Sequence, residues 1–335
     1  MSAPEGSQID MRLLAALRRG GEACVSGVQL SEAAGVTRAA VWARVEELRR
    51  LGYEIEASPH LGYRLLSSPD LLHADDLLAR LGTTRVIGRD IRVFKQTAST
   101  SDIAQKLAED GVAEGAVVFA EAQTQGRGRL GRQWLSPPGK GLWFSVLLRP
   151  ALPPQQATQL TVAAAVALAR AVEIQTGLKP EIKWPNDLLV GGKKVAGILT
   201  ELNAELERIH SLILGIGVDV NQAAADFPAA LRASVTSLRL ATGAAVDRPE
   251  LAAHVLRELD ADYARIAGGK FRAVAEEWEH RCTTLGQRVV IHCGGRRLAG
   301  RAEALDAEGA LLLRTEHGHL ERIIGGDVTV EKTAQ

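Results

Sequence analysis

The sequence predicts an α+β chain of three folded parts: a small helical unit ending in a hairpin, a large mixed-sheet domain, and a compact β-barrel. Helical periodicity and caps dominate residues 1–66, strand and helix signals alternate irregularly over 73–282, and short strands crowd together over 284–335. A chain of 335 residues, 46% of them hydrophobic, has ample material for several cores.

Within the first part, DMRLLAALRRG has a helical apolar stripe and ends in a glycine pair, and QLSEAAG is a short helix that stops at Gly35. Thr37 caps TRAAVWARVEELRRLG, whose Val41, Val45 and Leu48 share one face. YEIEAS and GYRLL are extended and joined by a turn around Pro59. Helix, short helix, turn, long helix and hairpin is the order of a winged helix-turn-helix. In that arrangement Thr37, Arg38 and Ala39 at the start of the long helix face the base edges of DNA. Arg44, Arg49 and Arg50 face phosphates. Acids and bases are nearly balanced here, so the turn pattern, not the charge, points to DNA. SSPDLL, residues 67–72, reads as a linker.

The middle part has strand signals at RVIGRDIRVFKQT, AVVFAEA, GLWFSVLLR, EIKWPNDLLV, KKVAGILTEL and SLILGIGVDV. Its main helical segments are SDIAQKLAED, LTVAAAVALARAV and RPELAAHVLRELDADYARIAG. Hairpins and crossovers are mixed, so the sheet is mixed and not doubly wound. The apolar run Leu160–Val172 is interrupted by Arg170 and is short for a bilayer, so a buried helix is expected and no membrane partner. From Gly286 onward, QRVVIHC, RRLAGRAEAL, GALLLRT, HLERIIG and DVTVE spell a small β-barrel. Cys24, Cys282 and Cys293 are odd in number and widely spaced, which predicts free thiols in a reducing, cytoplasmic setting. A formal net charge of zero offers no global field for nucleic acid.

GRGRLGR, Gly126–Arg132, contains G-x-G-x-x-G, the usual mark of a dinucleotide turn. It follows a strand, but Pro137 and Pro138 forbid the helix that should come next. From Ala122 to Val172 no Asp or Glu occurs, so the ribose-binding acid is also missing; Arg127, Arg129, Arg132, Lys140, Arg149 and Arg170 lie there instead. Spaced glycines let a backbone approach a ligand, and arginines bind phosphate or carboxylate with several donors. The loop is therefore read as an anion-binding flap.

KWPNDLLVGGKKVAGI, Lys183–Ile198, is a hairpin turning at Gly191–Gly192. Counting back from the turn pairs Val190 with Lys193, Leu189 with Lys194, and Asp187 with Ala196. Asp187 and Lys194 then share a face as diagonal neighbours, roughly 7–8 Å apart at the backbone. A lysine and an aspartate so placed suit a phosphate and its Mg²⁺, and equally suit a surface ion pair.

GRGRLGR, KWPND and KVAGI, in this order and at these separations, resemble the biotin–protein ligases. The whole chain is similar to the bifunctional kind that doubles as a biotin operon repressor. The resemblance implies a mixed-sheet biotin/lipoate ligase-like domain of the class II synthetase type between the winged helix and an SH3-like barrel. It implies that biotin and ATP, with Mg²⁺, give biotinyl-5′-AMP, and that biotin passes to a lysine of the biotin carboxyl carrier protein of acetyl-CoA carboxylase. It further implies operator DNA as a partner and a homodimer in the adenylate-bound state.

Carried over by position, Ser99, Thr100 and Gln123 hold the biotin ureido ring. Gly126, Arg127 and Gly128 close over the ligand, with Gly197 beside it. Lys194 contacts biotin carboxylate and α-phosphate, Arg129 guards the adenylate, and Asp187 holds Mg²⁺ or assists the incoming amine. Arg132, Trp134, Lys183 and Asn186 belong to the nucleotide side. Two positions depart from the family pattern: Ser101 stands where S-T-N has asparagine, and Asp219 where G-I-N has asparagine. The second exchange replaces an amide that donates and accepts towards adenine, and Asn221 is the nearby candidate to share that contact. DFPAALRASVTSL, Asp226–Leu238, resembles the adenylate-covering segment, with Phe227 a candidate aromatic contact. The alternatives are a lipoate-type acyl ligase, disfavoured by GRGRLGR and KWPND, and a non-catalytic biotin-sensing repressor, disfavoured by Lys194 and the intact flap.

Overall fold

The computed structural model describes residues 5–330, which form two compact units: 5–83 with 247–253, and 84–246 with 254–330. The first boundary lies at 83, beyond the expected 66, and the β-barrel clusters with the mixed-sheet part.

The first unit contains α1 (Glu5–Gly20), α2 (Gly27–Ala34), α3 (Arg38–Arg50), the hairpin β1 (Glu54–Ser58) and β2 (Gly62–Ser67), and α4 (Ala74–Leu81). Helix α2 starts with a reciprocal Ser26–Gln29 capping box and stops at Gly35 in the left-handed region. The Thr37 hydroxyl accepts the Ala40 N–H and starts α3. Val41, Val45 and Leu48 are buried with Leu13, Leu14, Leu17, Leu30 and Ile55, as their spacing predicts. Arg44, expected beside phosphate, is paired within the unit. Its Nε donates to buried Asp10 at 2.7 Å and its Nη1 pairs with Glu47 at 2.5 Å, so it braces α3 against α1. Arg49 likewise donates to the Ile55 carbonyl and to Glu46. Arg38 and Arg50 stay exposed on α3, and Trp42 between them is 60% exposed.

The second unit is built on a seven-stranded sheet of order β3-β4-β5-β9-β8-β7-β6. Its strands are β3 (Asp90–Phe94), β4 (Ala116–Ala120), β5 (Gly141–Leu148), β6 (Glu181–Lys183), β7 (Asp187–Val190), β8 (Lys193–Ala204) and β9 (Ile209–Asp219). Only β3 and β4 pair parallel, so the sheet is mixed as expected. Helix α5 (Thr100–Glu109) buries Ala104 and Leu107 against Val118 of β4, Leu147 of β5 and Ile213 of β9. The alanine-rich run is α6 (Thr158–Thr176), buried against β6, β7, β8 and α9 (Phe271–Arg281). Short α7 (Leu238–Thr242) and long α8 (Arg248–Ala267) complete the helices among the described residues. Helix α9 has Phe271, Val274, Ala275 and Trp278 buried on one face, a 3.6-residue period that the sequence reading passed over, as it did α4.

The barrel strands β10 (Arg288–Cys293), β11 (Arg296–Leu305), β12 (Leu311–Thr315), β13 (Leu320–Ile323) and β14 (Asp327–Val330) pair antiparallel in the order β13-β12-β11-β10-β14. Their β11–β12 turn is tied to α6 by Thr158, whose hydroxyl donates to the Glu308 carbonyl at 2.6 Å, and by Gln159, which donates to Ala307 O at 3.0 Å. Cys24, Cys282 and Cys293 are free thiols.

One carboxylate anchors the approach to β3. Asp260 on α8, 6% exposed, accepts the backbone N–H groups of Arg85, Val86 and Ile87, each at 2.8 Å. Asp260→Ala leaves three donors without their acceptor and is expected to destabilise this unit by about 3–5 kcal/mol, read from urea unfolding.

Candidate active site

Alternate residues of a strand share a face, and on β9 the sequence Gly215-Ile216-Gly217-Val218-Asp219 leaves that face bare where α5 begins. Ile213 packs under α5, Gly215 lies beside the Ser101 hydroxyl, Gly217 follows, and Asp219 ends the strand. Gly217 pairs with Gly197 on β8, and Gly215 with Ser145 on β5. The result is a trough without side chains along its middle. Trp134 lies on it so closely that a Cβ at Gly217 would stand 2.6 Å from the indole ring, and one at Gly197 2.9 Å away. Both glycines are required by this approach. Gly217→Ala is therefore expected to push Trp134 off the sheet at a cost of about 1–3 kcal/mol, read as a roughly ten- to hundred-fold loss of ligand affinity in calorimetry.

The trough opens into a cavity of about 490 Å³. Hydroxyls and an amide line one end. The Thr100 backbone N–H and hydroxyl donate to Gln123 Oε1 at 2.8 and 3.1 Å, and the Ser145 hydroxyl lies 2.8 Å from that of Thr100 and 3.1 Å from that of Ser101. Ser99 is the buried N-cap of α5. This end is rigid, neutral and rich in donors and acceptors, which suits a polar heterocycle and not an ion.

Cations line the middle. Lys194 Nζ is 2.6 Å from Asp187 Oδ1 and 5.2 Å from the Trp134 ring centroid. The backbone of Lys194 is pinned by Ser234 O and Thr236 N–H. A bulge after Leu188 shifts the hairpin register: Val190 faces Lys193 and Leu189 faces Lys194, but Asp187 faces Gly197, not Ala196. The Asp187–Lys194 ion pair closes across this irregularity. Lys183, Asn186 and the cis Trp184–Pro185 unit also line this region.

The flap crosses above, each arginine held by a different part of the unit. Arg127 donates to Asp102 at 2.6 Å and to Glu201 at 3.2 Å. Arg129 donates to Asn186 Oδ1 at 3.2 Å and to the Gly326 carbonyl at 3.3 Å. Arg132 pairs with Asp327 of β14. Burial lowers the Arg129 pKa from its ordinary value, against the pull of Asp327 and Asp187. The other bases of the acid-free stretch serve elsewhere. Arg149 donates to the Ala108, Val112 and His210 carbonyls, Arg170 is held by Glu258, Asp262 and Glu277, and Lys140 pairs with Asp226.

At the other end Asp219 meets the segment 226–238, which contributes Phe227, Leu231 and Val235 to the cavity. Burial pushes the Asp219 carboxyl well above the usual carboxylate range, although Lys194 and a 2.5 Å bond from Gln222 Nε2 pull the other way.

Residues 93–219 match the biotin/lipoate A/B protein ligase family, residues 11–64 an HTH domain, and residues 284–330 the biotin protein ligase C-terminal domain. Over 317 residues, 94% of this chain and 97% of the relative, the sequence is 39% identical to the bifunctional ligase/repressor BirA of Bacillus subtilis strain 168. The chain belongs to the biotin–protein ligase family. Within the same family, a biotin–[acetyl-CoA-carboxylase] ligase of Paracoccus denitrificans is 35% identical over 68% of this chain and 95% of its own. The Aquifex aeolicus biotin protein ligase, solved in complex with biotin and ATP, matches with a TM-score of 0.62 at 31% identity. That match covers 73% of this chain and 100% of the other.

Among the sequence-derived candidates, the fold gathers Ser99, Thr100, Gln123, Arg127, Gly128, Arg129, Arg132, Trp134, Lys183, Asn186, Asp187, Lys194, Gly197 and Asp219 around one cavity. Asn221 is not among the lining residues. Its amide is clamped to the Val246 backbone, donating to Val246 O and accepting Val246 N–H, both at 2.9 Å. Gly126 lies behind the flap, where a Cβ would strike the Trp134 carbonyl at 2.5 Å. It shapes the loop and does not line the cavity. Sequence reasoning missed Ser145, Gly215 and Asp327. A lone serine in GLWFSVLL and glycines inside a strand were available signals for the first two; nothing in the sequence near Asp327 marked it.

Proposed function

We propose that the chain condenses biotin with ATP to biotinyl-5′-AMP and pyrophosphate, then transfers biotin to a lysine of the carrier domain of acetyl-CoA carboxylase. One observation carries the reading: a neutral, donor-rich end and a second end lined by Asp219, Phe227 and Leu231 meet at Lys194 within a single cavity of about 490 Å³. In the first step the biotin carboxylate oxygen attacks the α-phosphorus and the bond to pyrophosphate breaks. Both reactants are anions, so Lys194, Arg129, Arg132 and Lys183 offset their repulsion and stabilise the charge that grows on the phosphoryl oxygens. In the second step an acceptor amine attacks the mixed anhydride's carbonyl, AMP departs, and Asp187 is placed to receive the amine proton.

Mg²⁺ fits this site only as a guest of the nucleotide. Among the described residues no group of three acidic, histidine or cysteine side chains is gathered for a metal. Asp187, paired with Lys194, would hold the ion beside the phosphates, whose charge it would neutralise. The winged unit is read as an operator-binding module that works as a pair of copies once adenylate is bound, in a cytoplasmic protein. The three-part division at 1–66, 73–282 and 284–335 assigns DNA contact, chemistry and flap support respectively.

Mixing the protein with biotin, ATP and Mg²⁺ tests the reading by pyrophosphate release. Release with biotin supports it; release only with lipoate, or tight biotin binding without release, replaces it by the acyl-ligase or sensor alternative. Footprinting upstream of biotin-synthesis genes, with and without biotin and ATP, tests the repressor half.

A further inference from the structure

The outward side of α3 carries an apolar patch. Val41, Val45 and Leu48 face inward, while Ala39, Trp42 and Ala43 are exposed. Steps of three and four residues make these three neighbours on the helix surface. At about 3.6 residues per turn, Ala39 and Ala43 lie opposite the buried stripe, with Trp42 on the flank. The indole is 60% exposed and stands outside the core cluster of its unit. The charges along the middle of α3 are already engaged, Arg44 with Glu47 and Arg49 with Glu46. Arg38 and Arg50 stand exposed at its two ends, and no asparagine or glutamine lies on it. Helix α3 is the second helix of the matched HTH domain, the element that enters the major groove in such modules.

We infer that α3 reads thymine by its 5-methyl group, with Trp42 as the specificity-determining residue and Ala39 and Ala43 as the contacts that let the helix settle on the groove floor. The inference rests on, and deepens, the operator-binding reading above.

The chemistry selects the base. In the major groove guanine shows N7 and O6, cytosine an amino group, and adenine N7 and an amino group. Thymine alone shows an alkyl group, beside its O4. An apolar patch gains by covering a methyl and leaves a polar edge without a partner. Adenine is read by a side-chain amide, which α3 lacks. Size agrees with chemistry. A helix with its side chains is about 10–12 Å across and the groove about 12 Å wide, so small residues must face the floor, as Ala39 and Ala43 do. A long side chain fits on the flank, where Trp42 lies. Arg38 and Arg50 lie towards the ends, where phosphates border the groove.

The test uses the full chain with biotin, ATP and Mg²⁺, and a duplex that it enriches from a random-sequence pool. Each thymine of that duplex is replaced in turn by deoxyuridine, which removes one methyl and alters no hydrogen-bonding group. The wild-type chain is expected to lose about four-fold in affinity at each contacted thymine. Its dependence on salt should stay the same, because no phosphate contact is lost. Trp42→Ala, a change at an exposed position, should bind the thymine duplex more weakly and be indifferent to uracil where the indole sits. Trp42→Phe keeps an apolar ring without the indole N–H and should retain the sensitivity. Wild-type binding indifferent to uracil at every position overturns the inference. So does uracil sensitivity that persists undiminished in Trp42→Ala, or a loss in Trp42→Phe as complete as in Trp42→Ala, which would make the N–H the reader. A changed oligomeric state in Trp42→Ala with DNA binding intact assigns the indole to a second copy of the chain and overturns it too. If no duplex is enriched, operator binding itself fails and the inference falls with it, a result distinct from an enriched duplex indifferent to uracil.

Discussion

Lys194→Ala is expected to lower the rate of adenylate formation by about 10²–10³-fold while leaving biotin binding measurable. In the proposed reaction a carboxylate and a triphosphate meet beside this lysine, which lines the middle of the cavity. Two like charges about 4 Å apart repel by about 4 kcal/mol at the effective dielectric of a protein surface, and one ammonium between them relieves that on both sides. Arg127 is committed to Asp102 and Glu201, and the other cations of the cavity, Arg129, Arg132 and Lys183, are expected to replace it only in part. The expected biotin contacts Ser99, Thr100, Gln123 and Ser145 lie away from β8, at the start of α5, in the loop after β4 and on β5, and are left intact. Single-turnover pyrophosphate release beside a biotin titration separates the two effects. Release at the wild-type rate in the variant would remove Lys194 from the chemistry.

Arg129→Gly should do the reverse: adenylate still forms but escapes. The guanidinium ties the flap to Asn186 and to the barrel at Gly326. It has Gly128 on one side and Gly131, at φ +73°, two positions beyond. Removing two charged hydrogen bonds from so pliable a loop should raise the rate of adenylate loss by one to two orders of magnitude, at about 1–1.5 kcal/mol for each. The readout is biotin on lysines of an unrelated bystander protein, compared with the carrier domain. Labelling confined to the carrier domain in the variant would show that the flap is kept shut by its other arginines, Arg127 and Arg132.

Much of this fold is written locally. Thr37, Gly35 and the Val41–Val45–Leu48 stripe announce α3, and Gly191–Gly192 announces the β7–β8 turn, because caps and two-residue turns depend on neighbours in sequence. The flap too is visible as a string, since it needs spaced glycines and clustered arginines in one place. What the sequence leaves out has a common cause. Arg44 finds Asp10, thirty-four positions away, as a partner. Asn221 is held by Val246 and stands outside the cavity lining. The hairpin count goes astray by one residue because a bulge leaves no mark in composition.

The order of the three parts, the two motif loops and the family are properties of the sequence by itself, since each depends on residue types at fixed short spacings. Partners are not. Which arginines of the acid-free stretch reach the cavity, that Asp219 is buried, and that Asp327 of β14 meets the flap were settled only when distant segments came together. Burial and charge pairing act across space, and a sequence records spacing along the chain alone.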